Sequence, residues 1–288
     1  MAILFITGCS TGIGFTAAKT LSRKGHTVYA GMRSPNNAPA LRQIAKEEKL
    51  PLHILELDVD RDDSVNDAIA QTLKKEGRID VLINNAGIAA HGAVEELGLD
   101  LFRSVMETNY FGSIRCIRAA LPSMRERKNG IIINVSSIAA KLFSQSHSAY
   151  CGSKAAIEAV SECLAQEVAP FNIRVALVEP GVIETPIFKK DNEQPEKTNY
   201  PNTRRLRAFF AASLENHTKP ETVAEVISDI IDGKSNAFRN PAGPDALPLI
   251  QWRAALPDEE WANAHNIDDE TWISNQEKYL HLNVRAYM

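Results

Sequence analysis

Tyr150 and Lys154 stand four residues apart at the start of a stretch with helical apolar spacing, so both side chains share one helix face, one turn apart. A free phenol titrates at about 10 and is a poor acid or base at neutral pH. An ammonium beside it favours the phenolate and draws that titration toward the working range, which makes the pair a candidate for moving protons. Thirteen residues upstream, Ser137 follows the apolar run 131–135, and its hydroxyl suits a carbonyl or alcohol oxygen. A Tyr-x-x-x-Lys pair by itself is commonplace on helices; its weight comes from what accompanies it.

A second group opens the chain. The apolar run 3–7 leads into Thr7-Gly8-Cys9-Ser10-Thr11-Gly12-Ile13-Gly14 and then into a helical pattern. Gly8 permits a tight turn, Gly12 lets backbone N–H groups approach a pyrophosphate, and Gly14 lets the helix pack on the strand. Ser10, Thr11 and Ile13 complete the loop, and the helix N-terminus turns its free N–H groups toward the anion. Sites for NAD usually carry Asp or Glu about 20 residues further on, to hold the ribose 2′-hydroxyl. No acidic residue precedes Glu47 here, and the second apolar run ends in Gly31-Met32-Arg33. A guanidinium grips a 2′-phosphate that a carboxylate would repel, so Arg33 favours NADP; an Arg33 that only stacks on adenine would suit either cofactor.

These groups need a scaffold that brings them together. Short apolar runs at 3–7, 27–30, 52–57, 81–83, 131–135 and 173–178 alternate with helical patterns at 15–24, 40–49, 63–76, 100–127, 150–168 and 220–232. This predicts a doubly wound α/β fold with a mostly or wholly parallel central sheet flanked by helices. Such sheets present ligands at the carboxyl ends of their strands, where Ser137 falls. Residues 1–288 are read as one unit with a core over 2–235, a mobile substrate loop at about 186–210 and a C-terminal extension over 241–288. The loop is polar and carries Pro195 and Pro201. The extension holds Trp252, Trp261 and Trp272, which could cover a pocket, form a subunit contact or pin the tail to the body.

Read together, these motifs resemble the classical short-chain dehydrogenase/reductase family over roughly residues 2–235. The family's TGxxxGxG matches Thr7–Gly14, and its NNAG matches Asn84-Asn85-Ala86-Gly87. Its catalytic Asn matches Asn109, its Ser matches Ser137, its YxxxK matches Tyr150–Lys154, and its PGxxxT runs from Pro180-Gly181 to Thr185. The resemblance implies a Rossmann fold and a catalytic set of Asn109, Ser137, Tyr150 and Lys154. It implies cofactor contacts from Asp58 and Val59 at the adenine and from Asn85, Ala86 and Gly87 along the groove. Tyr150, Lys154, Pro180, Gly181, Val182 and Thr185 would meet the nicotinamide end, and Asn109 would organise a water that relays protons from Lys154. The Gly-Met-Arg end of the second strand is similar to NADP-preferring hydroxysteroid and retinoid types. Substrate contacts are then expected from Ala139, Leu142, Phe143 and His147 after Ser137, from His91 after the NNAG stretch, and from Ile187. This set is largely apolar with a polar handle or two, which suits a hydrophobic alcohol or ketone. A homodimer or homotetramer is also implied.

Composition narrows the alternatives. Of the residues, 44% are hydrophobic and 24% charged, with a net charge of −4, which argues against disorder and against nucleic acid as a partner. No apolar run approaches the length of a membrane span, and the N-terminus lacks the basic segment of a secretory signal, so a cytoplasmic protein is expected. Cys9, Cys116, Cys151 and Cys163 show no metal-type spacing and the histidines no ligand pattern, so no catalytic metal is expected. The expected function is an NADP(H)-dependent oxidoreductase and carbonyl reductase acting on a hydrophobic small molecule. The rivals are an NADP-binding regulatory protein without turnover and an NAD-dependent alcohol dehydrogenase of the same fold.

Overall fold

Each apolar run becomes a strand because it is covered on both sides. The computed structural model describes residues 1–189, 198–200, 202–215 and 217–288. The runs form β1 (Ile3–Ile6), β2 (Thr27–Met32), β3 (Leu52–Glu56), β4 (Val81–Asn84), β5 (Gly130–Val135) and β6 (Ile173–Pro180). A seventh strand, β7 (Arg239–Ala242), completes an all-parallel sheet of order β3-β2-β1-β4-β5-β6-β7. Side chains alternate across it. Leu4, Ile6, Val28, Ile133 and Val178 face α1 (Gly12–Arg23) and, later in the chain, α8 (Pro220–Ile231). Phe5, Tyr29, Leu82, Ile132 and Val175 face α3 (Asp62–Glu76), α5 (Gly112–Arg127) and α6 (Ser148–Val168). α2 (Pro39–Glu47) closes the first layer through Leu41. Chain order reverses between β1 and β4, which opens a crevice at the carboxyl ends of the strands.

Three elements differ from the sequence pattern. The single helix expected over 100–127 is α4 (Leu99–Met106), then a π-helical turn over Glu107–Phe111, then α5. Wider turns of this kind often mark functional sites, and this one carries Asn109. The polar stretch expected as a loop at 186–210 contains α7 (Thr203–Ser213), whose apolar face was masked by three arginines. Residues 190–197 and 201 of that stretch, Pro195 and Pro201 among them, lie outside the described residues. β7 is short and contains Pro241, which only an edge strand accommodates readily.

The extension forms α9 (Ala246–Ala255), α10 (Asp258–Asn263) and α11 (Asp269–Leu280). Trp272 is buried with Ile273 and Val284 against Ala208 and Ala212 of α7, which pins the tail. Trp261 packs near Leu142 and Leu249, while Trp252 lies edge-on to it at 5.5 Å and is half exposed. Among the described residues no helix is long and apolar enough to cross a membrane.

Candidate active site

The crevice begins where β1 gives way to the glycine loop. Gly8 has φ +73°, and a Cβ there would lie 2.7 Å from the Ala86 Cα, so the chain after β4 presses directly on the loop. Thr7 holds that contact: its hydroxyl oxygen accepts the N–H groups of Asn85 and Ala86, both at 2.9 Å. The Asn85 side-chain amide returns a bond to the Thr7 carbonyl at 2.9 Å. Gly12, at φ +60°, faces the Thr185 side chain across the groove at 3.2 Å from its would-be Cβ. Thr11 caps α1 in an extended conformation without a side-chain hydrogen bond, and the first turn carries no acidic residue. The leading N–H groups of α1 are therefore free to meet an anion. Gly14 lies beneath, packed on the Gly8 carbonyl, and does not line the groove.

At the far end, Arg33 and Ser34 follow β2 beside Asp58, Val59 and Asp60. Arg33 is exposed, and no carboxylate ends β2. Asp60 was not foreseen. Its Oδ2 accepts the Thr108 hydroxyl at 3.1 Å, while Oδ1 is buried without a hydrogen-bond partner. Burial, aided by Asp58, holds its carboxyl above the usual range, and Arg33 works against that. A cradle closed by Gly8 and Gly12 and a free helix N-terminus together fit the pyrophosphate of a dinucleotide.

Beyond the cradle, β5 ends at Val135 and delivers Ser136 and Ser137. The Ser137 oxygen accepts the Ala139 N–H at 3.1 Å and caps a short 3₁₀ turn over Ile138–Ala140. Tyr150, in the first turn of α6, faces that hydroxyl. Burial pushes the Tyr150 phenol up to about 12, and Ser137 works in the opposite direction. Lys154 is buried, and its Nζ donates to the Val135 carbonyl at 2.7 Å, 5.6 Å from the centre of the Tyr150 ring. Burial lowers it to about 8, against the pull of Glu158. The lowering of Tyr150 expected from its ammonium neighbour is thus overridden here, because burial acts on both groups and disfavours the charged form of each.

Asn109 joins the two halves of the crevice. Its Oδ1 accepts the Ile88 N–H at 2.8 Å, and its Nδ2 donates to the Ile88 carbonyl and to Ser153 Oγ, both at 2.9 Å. Ser153 in turn donates to the Tyr150 carbonyl at 2.8 Å. The side chain therefore staples the chain after β4 to α6. Gly87 lies between Asn109 Oδ1 and Lys154 Nζ, 3.3 and 3.8 Å from its would-be Cβ.

A cavity of about 730 Å³ runs from the glycine loop past Tyr150 to an apolar end. Ala139, Leu142, His147, His91 and Ile187 all line it. The His147 ring stacks on Tyr150, with centres 4.8 Å apart and planes 6° from parallel, and His91 lies 4.5 Å from His147. Phe143 lies outside the cavity: it is half exposed, and its carbonyl accepts the Trp261 indole N–H at 3.1 Å. Phe188, Leu206, Phe209 and Phe210 close the far wall with Leu249 of α9. Phe188 and Phe210 are 5.1 Å apart. Pro180, Gly181, Val182 and Thr185 line the opposite side. There the Val182 N–H donates to Asp245 Oδ2 at 2.8 Å, and the Asp245 carboxylate sits directly on Gly181. Burial raises its carboxyl. Nothing in the sequence marked Asp245, Phe210 or Leu249, since Phe210 and Leu249 reach the crevice, and Asp245 reaches Gly181 and Val182 behind it, only through the tertiary fold.

With this geometry in hand, comparison with known proteins is specific. The sequence model of the short chain dehydrogenase family matches residues 2–196. A 3-ketodihydrosphingosine reductase of Bacteroides thetaiotaomicron is 36% identical over 89% of this chain and 93% of its own. The crystal structure of a short-chain dehydrogenase from Streptomyces avermitilis superposes with a TM-score of 0.80 at 30% identity, covering 97% of both chains. A short chain dehydrogenase from Burkholderia cenocepacia, solved in complex with NADP, gives a TM-score of 0.72 at 25% identity over 93% of this chain and 98% of its own.

Proposed function

The chain belongs to the short-chain dehydrogenase family, and from that premise we propose that it is an NADP(H)-dependent oxidoreductase interconverting a ketone or aldehyde with an alcohol on a largely hydrophobic small molecule. One observation carries the reading: the cavity that starts at the glycine cradle passes Ser137, Tyr150 and Lys154 and ends between apolar side chains. A nicotinamide dinucleotide bound in that groove supplies or takes up the hydride.

Ser137 hydrogen-bonds the substrate oxygen and sets it beside the Tyr150 hydroxyl. Tyr150, a neutral phenol whose titration burial raises further, donates its proton to that oxygen in reduction and receives it back in oxidation. Lys154 restores the proton balance: its ammonium stabilises the phenolate left behind, and with its titration drawn to about 8 it exchanges protons readily near neutral pH. Asn109 holds the chain after β4 against α6, so that Gly87 and Lys154 keep their separation. Arg33 takes the 2′-phosphate. The apolar wall around Phe210 desolvates the rest of the substrate, and the outer faces of α5 and α6 serve as the contact of a homodimer or homotetramer.

Two measurements test this. Tyr150→Phe is expected to bind NADPH as the wild type does, read by nicotinamide fluorescence, and to lose about 10²–10⁴-fold in turnover. Retained turnover sinks the assignment. Titration of the wild type is expected to give NADPH binding at least about tenfold tighter than NADH, with the ratio erased in Arg33→Ala; equal affinities in the wild type would favour an NAD-dependent alcohol dehydrogenase.

A further inference from the structure

Lys154 is a buried cation whose direct hydrogen bond goes to a neutral carbonyl. A charge so placed needs an anion within reach. Around it, β5 offers the Val135 carbonyl, the π-helical turn offers the amide of Asn109, the chain after β4 offers Gly87, and α6 offers the phenol of Tyr150. All are uncharged. Among the described residues the carboxylate that acts on Lys154 is Glu158, one turn further along the same face of α6 and only 3% exposed.

Glu158 is itself held by three groups. Its Oε1 accepts the Ser136 hydroxyl at 2.8 Å, and its Oε2 accepts Lys141 Nζ at 2.8 Å and the Arg239 guanidinium at 2.5 Å. Arg239, on the edge strand β7, also bridges Glu179 of β6 at 2.8 Å and Glu162 of α6. Three carboxylates therefore face two cations, and burial, with Glu158 beside it, holds the Glu179 carboxyl above the usual range. Two of the partners also bracket a segment of the site: Ser136 immediately precedes Ser137, and Lys141 closes the 3₁₀ turn that Ser137 caps.

We propose that Glu158 is a positioning residue of this site, whose buried carboxylate keeps Lys154 in its charged form and, through Ser136 and Lys141, fixes both ends of the segment that carries Ser137. Lys141 and Arg239 temper it from the opposite side, so the charge on Lys154 depends on residues that never touch substrate. The inference rests on the assignment of Tyr150 and Lys154 to the chemistry.

The test is the pH dependence of kcat/KM and, separately, of the NADPH dissociation constant, in the wild type, Glu158→Gln and Lys141→Gln. Glu158→Gln is expected to move the Lys154 titration below its value of about 8, by about one pH unit, an approximately five-fold loss at pH 8. Lys141→Gln, which removes a partly exposed competing cation, is expected to move it upward. Opposite shifts support the proposal, because a purely structural role lowers activity at every pH without moving either curve. An unmoved titration in both variants overturns it. If Glu158→Gln does not fold, the direction of the Lys141→Gln shift decides alone. Failure of the underlying assignment looks different: Tyr150→Phe would then keep its turnover, while the NADPH binding curves still report the charge on Lys154.

Discussion

Lys154 shows how far the site departs from what stability alone would select. Its folded-state titration near 8 against an ordinary 10.5 corresponds to about 3 kcal/mol of disfavoured charge, less about 1 kcal/mol returned by the Val135 hydrogen bond. Lys154→Met is therefore expected to be more stable than the wild type by about 2 kcal/mol at pH 7 while losing turnover, a trade of stability for function. The sign of the pH dependence follows from proton counts. Between about 8 and 10.5 the unfolded chain holds the lysine proton and the folded chain has released it, so wild-type stability rises with pH across that window. The advantage of Lys154→Met should accordingly shrink above pH 8. Urea denaturation of both proteins at pH 7 and pH 9.5 measures this, and a gap that is absent at pH 7 or constant with pH would contradict it.

Among the elements, α7 carries the clearest dependence on a distant partner. Arg205 is 3% exposed, yet every part of its guanidinium is used: Nε donates to Asp269 at 2.9 Å, the two terminal nitrogens donate to the His265 and Ile267 carbonyls, and the group lies over Trp272. Asp269→Ala strands that charge and is expected to cost about 2–4 kcal/mol, below the fully buried case because Asp269 is one-third exposed. Hydrogen exchange should rise in α7 and α11 and stay unchanged in β1–β6; a cost under about 1 kcal/mol would rule the account out. The same arginines explain what the sequence concealed. β1–β6 were legible because strands covered on both faces read as unbroken apolar runs, and the Tyr150–Lys154 and glycine-loop residues because local spacing places them. α7 was hidden because Arg204, Arg205 and Arg207 look like a solvated surface, and β7 because Pro241 reads as a break. The far wall of the cavity was illegible for a different reason: Phe210 meets His147, and Leu249 meets Leu142, only after chain segments far apart in sequence are packed.

At the scale of the whole molecule, the C-terminal extension is a brace that touches the substrate end of the cavity from three sides. Trp272 and Val284 grip α7, Leu249 and Trp261 support the turn after Ser137, and Asp245 holds the Pro180–Val182 loop through the Val182 N–H. The glycine cradle and the Arg33 end receive none of these contacts directly, so the extension's contacts bear on the substrate end and on the 180–182 loop and not on the phosphate end. Leu249→Ala removes apolar wall and is expected to raise KM for a hydrophobic carbonyl compound about tenfold, with NADPH affinity unchanged. Asp245→Ala releases the loop that carries Gly181 and Val182, so its effect belongs on the cofactor: NADPH affinity and kcat should fall by about tenfold with substrate KM nearly constant. Measuring substrate KM, kcat and NADPH affinity in both variants separates two accounts of the extension. A crossed pattern means that it shapes the two sides of the site independently, through contacts that can be altered one at a time. A common loss of every parameter in both variants would mean instead that the extension acts only by holding the fold together, and the brace would then have no share in setting which molecule the cavity accepts.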